Sequence, residues 1–161
     1  MEIVRTVMIR ALKGERGHVN TERGLLGLSW QLAGKRAEGM PHTIFRLVQH
    51  MNYWQEYCLE LIEGGNPPFP SRAADSWPGT DEPAGRLEWE ETVNRFTKGL
   101  ARAIQLAESC DFAQRIAARP ESTILDYLQS IASHNSYHLG QVALIRRILG
   151  AWPPPGGGDT W

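Results

Sequence analysis

Apolar side chains return every three or four residues along four stretches of the chain, and each stretch predicts an amphipathic helix. The first, over about residues 1–13, carries Val4, Val7 or Met8, and Ala11 or Leu12 at core-helix spacing. The second, over about 43–63, sets Ile44, Leu47, Met51, Trp54, Cys58 and Leu61 on one face, and Gly64 and Gly65 stop it. The third, over about 85–111, repeats Trp89, Val93, Phe96, Leu100, Ile104 and Ala107. The fourth, over about 123–149, starts at Thr123, which has capping-box spacing to Asp126, and ends at Gly150 and the prolines 153–155. The third helix is expected to pack on the fourth.

The stretches between these helices carry breakers. Gly14, Gly17, Gly24, Gly27, Gly34 and Gly39 argue against a continuous helix over 14–41 and leave room for one or two short helical turns in TERGLLGLSWQLAG. Residues 64–85 hold five prolines and four glycines, which marks a long crossover serving as lid or spacer. The tail 150–161, GAWPPPGGGDTW, reads as extended or mobile unless its two tryptophans dock on a surface. The fold class is therefore all-α: one four-helix bundle domain over residues 1–161 with long inter-helix connections, a loose orthogonal array being the alternative.

Composition narrows the function classes. Seventeen basic against eighteen acidic residues leave a formal net charge of -1 with no block of like charge, so neither nucleic acid nor an anionic membrane is an expected partner. The apolar runs fall well short of the roughly 20 residues that cross a bilayer. Glu2, Arg5 and Arg10 interrupt the apolar start, which is unlike a secretory signal and points to the cytoplasm; an organellar presequence is the weaker reading. Cys58 and Cys110 belong to no zinc-site spacing and read as reduced, partly buried thiols.

The candidate chemistry lies on two helices. On the fourth, Tyr127, Ile131, His134, His138, Gln141, Ile145 and Ile148 follow one another at spacings of four and three. Both ends of this stripe suit a core, but its middle offers two imidazoles and an amide, and burying such groups without partners costs about 1–3 kcal/mol each. Residues four apart share a helix face, so His134 and His138 can aim at one point. Alone, that spacing also fits a solvated helix face. The second helix decides between the two, because its stripe Leu47, His50, Trp54, Tyr57 and Leu61 turns a third histidine inward. Three inward histidines on two packed helices are best explained by shared coordination of a divalent metal. Imidazole suits zinc, nickel, iron and copper alike. Gln141, one turn beyond His138, and Trp54, one turn beyond His50, are the candidates for orienting a ligand or the substrate, although an amide bonded within the core fits Gln141 equally well. His18 and His42 receive no metal role; His42 rather marks a helix start, with Thr43 as its cap. No Asp, Glu or Lys stands paired with the histidines as a base, and Glu56 and Glu60 read as solvated.

Two segments, PHTIFRLVQHMNYWQEYCLELIEGG at 41–65 and ASHNSYHLGQVALIRRILGAWPPP at 132–155, together with the early GERGHVN, resemble the DinB-like superfamily of bacterial metal-binding four-helix bundles, in a branch named as metal-dependent hydrolases. The resemblance covers nearly the whole chain. It implies that one histidine of the second helix and two of the last hold the metal, which again selects His50, His134 and His138. Within HNSYHLGQ, Gly140 is expected to let a neighbouring helix approach closely. The DNA polymerase that shares the DinB name is unrelated in fold.

Three imidazoles leave an open coordination position, the arrangement of a catalytic site. The first expectation is thus an enzyme, either a hydrolase that activates water or a thiol-dependent transferase using a low-molecular-weight thiol, since the resemblance permits both. The alternative is a non-catalytic protein whose metal supports the fold or reports metal supply through a partner. The resemblance, and six tryptophans in so small a chain, further imply a homodimer.

Overall fold

The computed structural model describes residues 2–157. It contains α1 (Glu2–Lys13), α2 (Trp30–Gly34), α3 (Ile44–Ile62), α4 (Arg86–Ser109) and α5 (Ile124–Ile148), with 3-10 turns at Arg23–Leu25 and Ala73–Ser76. A two-stranded antiparallel hairpin, β1 (Arg115–Ile116) and β2 (Arg119–Thr123), leads into α5. The helices start where local chemistry dictates. Thr43 caps α3 by accepting from the Arg46 N–H, and Thr123 and Asp126 form a reciprocal capping box on α5.

The four long helices form a bundle in the cyclic order α1, α5, α3, α4. Thirteen of the nineteen residues of α3 are buried, so it has more than one apolar face and is flanked by α4 on one side and α5 on the other. The expected pairing of α4 with α5 is not found: they lie across the diagonal and touch sparingly. The connection between them, hairpin included, is long enough to cross one end of the bundle, and the apolar stripe of α4 is satisfied by α3 and α1. In α1 the buried positions are Met8 and Leu12, while Val4 and Val7 are exposed.

Two hydrophobic clusters fill the bundle. One joins Leu12, Leu61, Leu100 and Leu128; the other joins Ile44, Phe45, Phe96, Val142 and Ile145. Buried polar side chains lie among them: His50, Asn52, Gln55, Thr92, Asn135 and His138. Asn52 donates to the Thr92 carbonyl, Gln55 to the Phe96 carbonyl and Asn135 to the Gln55 side-chain oxygen, each at 3.0 Å. Close approach of α3 to α4 depends on Gly99, where a Cβ would lie 2.2 Å from Gln55 Nε2. Gly140 has no such role, because a Cβ there meets nothing within 4 Å among the described residues.

The buried Arg146 of α5 donates to the carbonyls of Gly24, Leu26 and Ala151, tying the 14–41 connection and the tail to the bundle. Trp152 docks beside the guanidinium groups of Arg146 and Arg147, so the start of the tail is held down. Its other tryptophan, Trp161, lies outside the described residues.

Candidate metal centre

Adjacency of α3 and α5 places His50 opposite His134 and His138. His134 Nε2 lies 3.3 Å from His50 Nε2 and 3.1 Å from His138 Nε2, and donor atoms of all three lie within 4.8 Å of one another. The remaining ring nitrogens fix the tautomers. His50 Nδ1–H donates to the Ser76 carbonyl at 3.0 Å, and His138 Nδ1–H to the Gln141 side-chain oxygen at 2.7 Å. Both partners are oxygens that only accept, so neutral His50 and His138 each present a bare Nε2 lone pair toward His134. One N–H on His134 cannot serve both. A cation among the three nitrogens satisfies all of them, and metal–nitrogen bonds of about 2.0–2.1 Å in a tetrahedron separate the nitrogens by about 3.3 Å, close to the spacing found. The residues therefore fit a metal ion.

Burial keeps the imidazoles neutral. It pushes His50 down to about 4 against the opposing bond to Ser76. It pushes His134 down to about 3, with help from His138 and His50, and lowers His138 against the bond to Gln141. Neutral imidazole is the form that ligates, so no proton competes with a metal near pH 7.

The 64–85 connection forms one wall of the site. Trp77 stacks on His50 at 3.8 Å between ring centroids, and its other face stacks on His42 at 3.9 Å. Asp81 anchors the connection by pairing with Arg36 and Arg46, while Thr43 donates to the Asp81 carbonyl. On the far side Trp54 sets its ring edge-on to His50 at 6.4 Å and to His134 at 6.5 Å.

A family model described as the DinB superfamily matches residues 16–142, a span that contains all three histidines. The chain belongs to the DinB superfamily. No curated protein and no solved structure matches it.

In this DinB-superfamily chain the sequence-derived candidates occupy different positions. His50, His134 and His138 come together, Gln141 bonds His138, and Trp54 borders the cluster. His18 lies elsewhere, bonded through Nε2 to Ser136 Oγ at 2.8 Å and through Nδ1 to the Val19 carbonyl at 2.7 Å. Glu56 pairs with Arg95, and Glu60 is exposed. Cys58 and Cys110 are free thiols. Sequence reasoning missed Ser76 and Trp77, which hold His50, and Tyr137, whose ring lies edge-on to His138 at 4.9 Å. The only available signal was a tryptophan inside a Pro/Gly-rich crossover, and nothing in its spacing relates it to His50.

Proposed function

We propose that this chain, working as one domain, binds one divalent metal ion, zinc, nickel or iron, through Nε2 of His50, His134 and His138, and acts with it on a small-molecule substrate. The observation that carries the reading is the convergence of these nitrogens, two of them with tautomers set from behind, in a cluster that no Cys, Asp or Glu joins among the described residues. Structural sites are usually closed by a fourth protein ligand, whereas a three-histidine site stays open to an exogenous one. When bound there, a divalent metal supplies Lewis acidity, polarising a carbonyl or favouring ionisation of water or a thiol.

The chain's own residues orient and enclose. Ser76 and Gln141 keep two lone pairs aimed inward, and the rings of Trp77 and Trp54 flank the histidines. Hydrolysis calls for a general base within hydrogen-bond reach of the attacking water. The carboxylates of Glu56 and Asp81 are instead engaged by arginines. Transfer to or from a low-molecular-weight thiol, whose nucleophile comes with the co-substrate, suits these surroundings better than hydrolysis.

Cobalt-substituted protein tests the reading. Its visible spectrum is expected to change on adding a small anion or a thiol, with the stronger response to the thiol. A spectrum that ignores both, with four protein ligands in place, would leave a purely structural or sensing metal. We also infer a cytoplasmic homodimer. The exposed Ile3, Val4 and Val7 of α1 support the pairing, and no helix among the described residues is long and apolar enough to cross a membrane. Light scattering is expected to give twice the 18.1 kDa of one chain, and a monomer mass at micromolar concentration would contradict the dimer.

A further inference from the structure

A cavity of about 100 Å³ opens between α3 and α5, walled mainly by Trp54, Cys58, Ser130, Ile131 and His134. Its lining is almost wholly apolar in effect. Ser130 donates its hydroxyl to the Asp126 carbonyl, and Asn135 Nδ2 donates to Gln55 Oε1, which leaves Asn135 Oδ1 as the one buried side-chain oxygen or nitrogen of the lining without a hydrogen-bond partner among the described residues. Cys58 stays a protonated thiol, because burial pushes it up to about 12. Among the described residues no charged side chain lines the space.

The pocket is partly open to solvent, with Ser130 exposed at its rim. It adjoins the histidine cluster, since His134 belongs to both and Trp54 borders both. At about 30 Å³ for a water-sized group, it has room for roughly three to four methylenes.

We propose that this cavity is the specificity pocket of the centre, and that it takes a short uncharged alkyl group of the substrate, attached to the atoms that occupy the open side of the three histidines. The inference rests on the metal-centre reading. It makes Cys58 and Ile131 the residues that set substrate length, and it disfavours substrates with a charge at that position, for which the wall offers no opposite charge.

The test uses the full chain loaded with cobalt(II) and a series of n-alkyl hydroxamates from acetohydroxamate to octanohydroxamate, which share one chelating group and differ in tail. The visible spectrum reads the Kd. Affinity is expected to rise about 3- to 4-fold per added methylene, the value of removing it from water, until the tail reaches roughly four carbons. It then stops rising. Cys58→Met, which fills the cavity, is expected to abolish the gain along the series. Ile131→Ala, which enlarges it, is expected to extend the gain to longer tails, and it decides the matter alone if the first variant does not fold. Equal affinity along the series, or a gain that survives Cys58→Met unchanged, would overturn the pocket and leave the metal centre standing. Failure to take up cobalt, or a spectrum blind to acetohydroxamate, would overturn the centre and the pocket with it.

Discussion

His138 is aimed by one hydrogen bond, from its Nδ1–H to the Gln141 side-chain oxygen at 2.7 Å. Bonds of this kind fix the tautomer and the ring angle of a metal-binding histidine, and their loss typically weakens binding by about 10–100-fold. Gln141→Leu is therefore expected to reduce metal affinity by about that factor in a chelator competition, while Gln141→Glu, which keeps an acceptor, retains it. Equal affinity in the leucine variant and the wild type would remove Gln141 from the site. Cys58 gives a second residue-scale expectation. With its thiol pushed up to about 12 by burial, it resists alkylation in the folded protein, so a thiol reagent at pH 8 modifies Cys110 first and Cys58 only on unfolding. Rapid modification of both thiols in the native state would contradict the burial of Cys58.

The helices themselves respond to changes at their ends and crossings. The Thr123 backbone and side chain both donate to Asp126, at 2.7 and 2.8 Å, and hold its carboxyl below the ordinary carboxylate value. Because the folded value is the lower one, this contribution is present above the unfolded value of about 3.9 and is lost as pH falls through the folded value. Asp126→Asn is thus expected to melt below the wild type at pH 7, with the gap closing below about pH 4. A gap independent of pH would exclude the ionised cap. Gly99 and Gly140 separate two opposed effects. Alanine is the better helix former by about 1 kcal/mol at either site. At Gly99 the new Cβ displaces buried Gln55 from the Phe96 carbonyl, and an unsatisfied buried amide costs about 1–3 kcal/mol, so Gly99→Ala is expected to lower the melting temperature. At Gly140 nothing is displaced, and Gly140→Ala is expected to raise it by about 2–4 °C. The opposite order of the two variants would contradict the packing of α3 on α4.

Across the molecule, what could be read from the sequence follows the range of the physical signal. The ends of α3, α4 and α5 lie within two residues of their expected positions, because caps and glycine stops are local chemistry. The inward turn of His50, His134 and His138 was legible because each shares a stripe with core residues on its own helix. The diagonal placement of α4 and α5 was not, since a period of 3.6 tells which face is apolar and not what that face meets. The hairpin escaped because β2 is half exposed, with no apolar alternation across Arg119, Pro120 and Glu121. Trp77 escaped for a related reason: a loop residue stacked on a helix residue twenty-seven positions away leaves no periodicity to read. The central claim, a metal held by three histidines from two helices, is tested most directly by elemental analysis of the protein purified without a histidine tag. About one divalent metal per chain is expected, retained by His18→Ala and His42→Ala and lost by His50→Ala and by the His134→Ala, His138→Ala double variant. Equal metal content in the wild type and that double variant would contradict it.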